Sequence, residues 1–187
     1  MPTRYLDPRV DIAFKRVFGE HAHLLRSLLN ALLPLPEDGQ IESLEYLTPK
    51  QVPDLPGLFK NSILDLQCKD IQGRTFIVEV QMLWSTSFRL RIEFSGNEAH
   101  VRQQHVLHNY TASQPVYALT LTNDVFDKTT QEYYHHYPTV RHHELRSVWE
   151  GLQFVIIELP KFTPQSVTDK KMRVEWLRFL TENGQTP

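Results

Sequence analysis

The sequence predicts an α/β fold in which a central mixed β-sheet is flanked by helices. Three observations support this prediction: helical periodicity across residues 11–33, two alternating segments that suit a β-hairpin, and a long helical segment followed by a short β-rich one. A helix that joins two parallel strands normally crosses over one face of their sheet. With 187 residues, 41% of them hydrophobic, the chain is large enough to bury one core.

The N-terminal segment 11–33 has the clearest helical pattern. Its apolar residues recur at steps of three and four, as they do on the buried face of an amphipathic helix. We expect Asp7 to be the N-cap of this helix, with Pro8 at its first position. Gly19 is expected to divide the segment into two shorter helices.

The two alternating segments, residues 62–68 and 76–82, have the period of half-buried strands. The polar connection between them is short and contains a glycine, which indicates a hairpin. A turn centred near Gln72 would place Asp65 almost opposite Glu79, with their Cβ atoms about 5 Å apart. We expect a first strand at 41–47 and a flap-like loop at 48–60 beside this hairpin.

Paired acids on one face of the hairpin have two interpretations. Carboxylates held this close repel each other unless a cation or a proton lies between them. Hard divalent cations such as Mg²⁺ prefer such oxygen ligands. Antiparallel hairpins also usually have one solvated face, which carries acids and amides without any further function. The pattern alone leaves both a metal site and an ordinary solvated face open.

Longer motifs add a family resemblance. Asp65, followed after thirteen residues by Glu79, Val80 and Gln81, resembles the Asp…(Asp/Glu)-x-(Lys/Gln) core of the PD-(D/E)xK nuclease superfamily. Residues 11–19, DIAFKRVFG, resemble the opening Asp-x-x-Phe-Lys-x-x-Phe-Gly of one branch, the recombination-promoting nuclease and putative transposase family. Further segments resemble that branch in the same order, namely 28–33, 154–162 and 176–180.

The resemblance implies a restriction-endonuclease-like core that hydrolyses phosphodiester bonds in DNA, linked to recombination or mobile elements. It implies a Mg²⁺ cofactor, with Mn²⁺ as a substitute, held by Asp65, Glu79 and the backbone carbonyl of Val80. Such an ion polarises the scissile phosphate and lowers the pKa of its water. Gln81 stands where the superfamily usually has a lysine. Its amide can orient a water but cannot act as a base at neutral pH, so the general base stays open.

Asp11 and Lys15 lie one helical turn apart and face the same way. They form either an exposed ion pair worth about 0.3 kcal/mol or part of the site. The resemblance favours the second interpretation, with Asp11 as an accessory catalytic acid and Lys15 beside a phosphate. Arg91 is the other expected DNA-binding residue. It belongs to a helix expected at 87–110.

The remaining elements complete one domain that spans residues 1–187. We expect its nuclease core at about 5–123 and C-terminal strands and a helix at 124–187. The expected elements after the long helix are strands at 115–122, 133–141 and 152–159 and a helix at 174–181.

Composition narrows the other possibilities. No apolar run approaches the roughly 18 residues of a membrane span, and the N-terminus lacks the apolar stretch of a signal peptide. The single cysteine, Cys68, is expected in the core, and a reducing cytoplasm is the expected location, with no membrane partner. The net charge of −2 gives no general signal for nucleic acid. Histidine pairs such as His135 and His136 lack the ligand spacing of a zinc site.

Two alternatives to a DNA nuclease remain. One is a catalytically inactive, nuclease-derived module that binds DNA or protein. The other is a hydrolase that acts on a different phosphoester. We also expect a homodimer formed through the C-terminal half, since twofold dimers are the commonest way to pair two active sites. Aromatic residues suited either to that interface or to the core are Tyr133, Tyr134, Tyr137, Trp149 and Trp176.

Overall fold

The computed structural model describes residue 7 and residues 9–47, 66–107, 114–141, 144–164 and 171–182. Its α-helices are α1 (Asp11–Glu20), α2 (Ala22–Leu32), α3 (Thr86–Leu107) and α4 (Lys171–Glu182). Its strands are β1 (Glu45–Tyr46), β2 (Leu66–Lys69), β3 (Thr75–Gln81), β4 (Val116–Thr122), β5 (Tyr134–Arg141) and β6 (Glu144–Glu158).

The six strands form one mixed sheet in the order β1-β2-β3-β4-β6-β5. Strands β3, β4 and β6 are parallel to one another, whereas the β1–β2, β2–β3 and β5–β6 pairs are antiparallel. The predicted α/β class with a central mixed sheet is therefore confirmed. The C-terminal strands extend the same sheet, with β6 inserted between β4 and β5.

Helices cover both faces of this sheet. Val78 and Val80 of β3 pack in a large core that includes buried residues of α1, α2 and α4. Ile77, which points to the opposite face, packs in a smaller cluster that contains Ala99 of α3. Because successive strand residues point to opposite faces, α3 lies alone among the described helices on the Ile77 face.

The N-terminal helical prediction is correct in extent and wrong in its cap. Helix α1 begins at Asp11, after a Val10 N-cap without a side-chain hydrogen bond. The Asp7 carboxylate instead accepts the Arg9 backbone N–H at 2.9 Å and bonds the Arg9 guanidinium. The helices separate at His21, whose ψ of 81° is not helical. Gly19 lies within α1, where a Cβ would meet a Leu66 methyl at 3.3 Å, so its small size serves close helix–sheet packing.

Two charged side chains of the turn between β2 and β3 are buried, which the polar sequence of the turn did not indicate. Asp70 and Arg74 are only 6% and 5% exposed. The Asp70 carboxylate accepts the Gln72 and Arg74 backbone N–H groups and pairs with the Arg74 guanidinium at 2.6 Å. Arg74 also donates to the Gly39 carbonyl at 2.7 Å. Gly73 has a φ of 82°, a conformation that favours glycine, so this turn is fixed by both backbone and charge.

Several other elements differ in length from the prediction. The first strand is only Glu45–Tyr46. Strand β6 begins at Glu144 rather than at the expected residue 152, because its first half pairs with β5 and extends past the first residue of β4. The expected flap at 48–60 lies outside the described residues. No helix in the described ranges is long and apolar enough to cross a membrane.

Three of the five aromatic residues considered for a dimer interface pack within the molecule. Tyr133 contacts the Phe162 ring, and the Tyr134 hydroxyl donates to the Leu32 carbonyl at 3.0 Å. Trp176 packs on Phe18 and donates to the Ser27 hydroxyl. Tyr137 is exposed, and the side chain of Trp149 lies outside the described part of the structure.

Candidate active site

The carboxyl ends of the three parallel strands form one polar edge. Gln81 on β3 pairs with Thr122 on β4, and Thr122 pairs with Glu158 on β6. Paired residues of parallel strands point to the same face, so these three side chains lie in one row. Open sheets with parallel strands bind ligands beyond the carboxyl ends of those strands. This edge is therefore the candidate site.

Glu79 is a buried carboxylate two residues from the end of β3. Its side chain points to the same face as Ile77 and is only 7% exposed, because α3 covers that face. The solvated-face interpretation of the hairpin acids consequently does not hold for Glu79. A buried carboxylate requires a compensating charge or a proton.

Arg91 supplies that charge from α3. Its Nη2 donates to Glu79 Oε1 and, at 3.3 Å, to Gln81 Oε1. The guanidinium also lies 5.0 Å from the centre of the Phe88 ring, and its buried Nε has no hydrogen-bond partner in the described residues. Two side-chain oxygens of β3 therefore converge on one position that already holds a cationic group.

The structure describes only one of the two other residues predicted to bind metal, Val80. Asp65 lies outside the described residues. The Val80 side chain is buried in the core on the opposite face, so only its backbone can take part in the site. Among the described residues, no group of three or more His, Cys, Asp and Glu side chains is arranged to hold a metal. A complete metal site at Glu79 requires a further ligand from outside them.

The start of α1 lies beside the end of β3. Arg9 donates to Asn123 Oδ1 at 3.1 Å, and the Asn123 backbone N–H donates to the Gln81 carbonyl at 2.9 Å. Asp11 and Lys15 form an ion pair in the following helical turns, with N–O distances of 2.7 and 3.0 Å. The structure thus brings Arg9, two residues before the DIAFKRVFG segment, to the polar edge.

Glu158 is a buried acid whose position in the site was not predicted. It is 0% exposed, and its carboxylate accepts the backbone N–H groups of Phe126 at 2.5 Å and Asp127 at 3.0 Å. The Lys161 ammonium and, at 3.0 Å, His135 Nε2 complete its contacts. Burial raises the pKa of Glu158, but these hydrogen bonds outweigh burial and hold the pKa below its ordinary value. The sequence signal was an acid that ends an apolar strand, with a lysine three residues later.

Cys68 and His136 contribute structure rather than chemistry. Cys68 is fully buried, and burial together with the nearby Asp70 charge raises its pKa to about 12. Its thiol is therefore a core group and a poor nucleophile at neutral pH, as predicted. His136 Nε2 lies 2.9 Å from Gln153 Oε1 in a hydrogen bond across the β5–β6 pair.

The mixed sheet, its covering helices and this polar edge define an α/β protein of the restriction-endonuclease-like fold class. A family model described as PD-(D/E)XK nuclease family transposase matches residues 8–186, and the chain belongs to that family. This match confirms the resemblance found in the sequence and supports a nuclease-like function. Comparison with curated proteins gave no match, and comparison with solved structures gave none either.

Proposed function

We propose that this protein is a divalent-metal-dependent DNA endonuclease whose site is built on Glu79 and Gln81. The observation that carries the proposal is the convergence of their two side-chain oxygens on one cationic group at the carboxyl edge of β3. Oxygen donors of this kind suit Mg²⁺, and Mn²⁺ accepts the same ligands. Nucleases of the family generally use such ions, which supports this choice of cofactor.

Asp65 is the proposed second carboxylate. The β2–β3 register pairs Leu66 with Val78, and we propose that the same pairing continues by one residue. Asp65 would then lie opposite Glu79, on the face that α3 covers. Asp65, Glu79 and the Val80 carbonyl would hold the ion. That ion would supply Lewis-acid polarisation of the scissile phosphate and activation of a water.

Side chains of the protein would then orient the water and bind the phosphates. Gln81 would orient the attacking water through its amide, since an amide donates and accepts hydrogen bonds without carrying charge. Arg91 would turn from Glu79 toward the scissile phosphate when Glu79 holds the ion, because a guanidinium matches phosphate oxygens well. Asp11 would serve as an accessory acid at the start of α1, and Lys15 would contact a neighbouring phosphate.

Plasmid cleavage tests the proposed function. Wild-type protein should nick or linearise supercoiled DNA in Mg²⁺ and lose this activity in EDTA, and Asp65→Ala should be inactive in both. Glu45→Ala is the matched control, because Glu45 is an exposed acid of the same sheet that pairs with Lys69. Equal cleavage by Asp65→Ala and wild type would exclude Asp65 from the site.

Removing Arg91 should strengthen metal binding while it weakens DNA binding. Arg91→Ala leaves the Glu79 carboxylate without its counter-ion, so a second cation becomes more favourable. A charge-assisted hydrogen bond contributes about 1.5–3 kcal/mol, which predicts roughly tenfold or greater tightening of Mn²⁺ binding in titration calorimetry. Arg16→Ala is the control, since Arg16 is an exposed arginine that pairs with Glu20 on α1, whose buried residues pack on the other face of the sheet. Unchanged or weaker Mn²⁺ affinity in Arg91→Ala would show that Arg91 does not compete for the site.

The alternative function is a nuclease-derived module that binds without cutting. Two observations favour it: Arg91 already neutralises Glu79, and Gln81 replaces a lysine. Such a module would bind oligonucleotides in a gel-shift assay and leave plasmid intact at every Mg²⁺ and Mn²⁺ concentration.

A homodimer and a cytoplasmic location also remain proposals. A pair of sites would cut both strands of a duplex, and the exposed Tyr137 is one aromatic residue available for such an interface. Light scattering should then give about twice the chain mass of 22.0 kDa. A mass of one chain with and without DNA would contradict the dimer. Detection of the protein outside the cytoplasm by cell fractionation would contradict the location.

A further inference from the structure

An aromatic path crosses the carboxyl edge of the sheet, from the residues that follow β3 to the edge strand β5. It consists of Trp84, Phe126, His135 and Tyr137. Trp84 stacks on Phe126 with ring centres 4.5 Å apart, and Phe126 meets the His135 ring at 5.0 Å. His135 in turn lies parallel to Tyr137, with ring centres 6.5 Å apart. The four rings therefore form a continuous series.

Hydrogen bonds hold the Trp84, Phe126 and His135 part of this path in place. The Asp124 carboxylate accepts the Trp84 backbone N–H at 2.9 Å, which ties the segment after β3 to the segment after β4. Glu158 accepts the Phe126 backbone N–H and contacts His135 Nε2. The Phe88 ring packs edge-on against Trp84 at 5.4 Å. A surface fixed in this way loses little entropy when it binds a ligand.

The path lies in a defined position relative to Glu79. His135 pairs with Ile156, Ile156 with Thr120, and Thr120 with Glu79, so these residues form one row across four strands. Three intervals between neighbouring strands amount to about 14 Å. At about 3.4 Å for each stacked nucleotide, this is the length of roughly four nucleotides. A nucleic acid strand cut at Glu79 could therefore place flanking nucleotides on the rings.

At its outer end, the path combines the exposed ring of Tyr137 with the exposed guanidinium of Arg89. Tyr137 is 46% exposed, and one face of its ring lies against His135. Arg89 projects from the start of α3, with 68% of its side chain exposed. Tyr137 pairs with Phe154, which packs on the face that α3 covers, so Tyr137 and Arg89 lie on the same side of the sheet. Burial and the carboxylates of Asp127 and Glu158 hold the pKa of Tyr137 above its ordinary value, against the opposing charge of Arg89. The exposed ion pair of Arg89 with Glu93 costs little to break.

We propose that the aromatic path is a binding subsite for unpaired nucleotides that flank the scissile phosphate, with Tyr137 stacking on a base and Arg89 contacting the backbone. Stacking on aromatic side chains tolerates every base and requires that the base be free of its complementary strand. The substrate class is therefore single-stranded or locally opened DNA. The position of the subsite rests on the proposed nuclease function, whereas binding to it does not require cleavage.

Binding in EDTA tests this subsite separately from catalysis. The probes are a fluorescent oligothymidylate of about twelve nucleotides and a fluorescent duplex of the same length. Fluorescence anisotropy measures the affinity of the protein for each probe. Tyr137→Ala should weaken single-strand binding roughly tenfold and duplex binding by less than about twofold, whereas Tyr137→Phe should retain wild-type affinity. Phe179→Ala is the control, because Phe179 is an exposed aromatic residue of α4, on the other side of the sheet. Single-strand binding should also quench tryptophan fluorescence, and Trp84→Phe should remove most of that quenching.

The possible results distinguish failure of the subsite proposal from failure of the nuclease proposal. Equal weakening of both probes by Tyr137→Ala, or wild-type single-strand affinity in that variant, would overturn the subsite. Failure of wild-type protein to bind either probe would overturn it too. Selective loss of single-strand binding supports the subsite even if plasmid cleavage is absent, in which case only the nuclease proposal fails.

Discussion

Replacing Glu79 with glutamine should reduce metal-dependent DNA cleavage by at least about a hundredfold while the protein stays folded. A metal ion contributes several kcal/mol to the stabilisation of charge in such reactions, and each 1.4 kcal/mol is a factor of ten in rate. Glutamine has the size of glutamate and still accepts a hydrogen bond from Arg91, but it lacks the charge that binds a divalent cation. Plasmid nicking rates would check the loss of cleavage, and thermal unfolding of the same preparations would check that the protein stays folded.

Glu93→Gln is the matched control for this experiment. It makes the same chemical change on the neighbouring helix, at an exposed acid that pairs with Arg89. Its cleavage rate should stay within about twofold of wild type, since exposed ion pairs contribute little. If Glu79→Gln also cut at the wild-type rate, Glu79 would have no catalytic function and its burial would reflect only its pairing with Arg91.

Asp70→Ala should lower the free energy of unfolding by about 3–5 kcal/mol, the largest stability effect that we expect in the described residues. The substitution leaves the buried Arg74 guanidinium without its carboxylate, and removing one partner of a buried pair is strongly destabilising. It also removes the acceptor of the Gln72 and Arg74 backbone N–H groups. Urea unfolding measured by circular dichroism would give the difference.

The exposed pair of Lys69 and Glu45 provides the comparison for Asp70. Both pairs involve the hairpin, but the Lys69–Glu45 pair is exposed and 3.2 Å apart. Glu45→Ala should therefore change the unfolding free energy by less than about 1 kcal/mol. A double variant, Asp70→Leu with Arg74→Met, should recover part of the lost stability because it removes the uncompensated charge. Destabilisation of Asp70→Ala below about 1 kcal/mol would show that water or another group compensates Arg74.

Much of the sheet could be predicted because its signals are local. The alternation in 76–82 fixed which residues of β3 share a face, and the structure places Glu79 and Gln81 together as that pattern requires. The apolar run at 115–122 similarly identified β4. Asp7 shows the limit of such signals. Asp7 followed by Pro8 has the pattern of an N-cap, but the Asp7 carboxylate binds the Arg9 guanidinium instead, and α1 begins four residues after Asp7.

The polar contacts within the site were less predictable, because they depend on which elements pack together. The sequence predicted that Arg91 lies on a helix and binds DNA, yet only the packing of α3 on the Glu79 face brings the Arg91 and Glu79 charges together. The Asp70–Arg74 turn has the composition of a solvated loop. Its Asp70–Arg74 ion pair is nevertheless buried, because the segment around Gly39, more than thirty residues earlier, packs against Arg74. No local pattern contains that information.

The central claim is that Glu79 and Gln81 belong to a metal-dependent nuclease site, and the rate of supercoiled plasmid cleavage against Mg²⁺ concentration tests it most directly. The predicted result is cleavage by wild-type protein that rises with Mg²⁺, stops in EDTA and returns when excess Mg²⁺ is added back. Glu79→Gln should show no such dependence. Cleavage that persists in excess EDTA, or that Glu79→Gln performs at the wild-type rate, would contradict the claim.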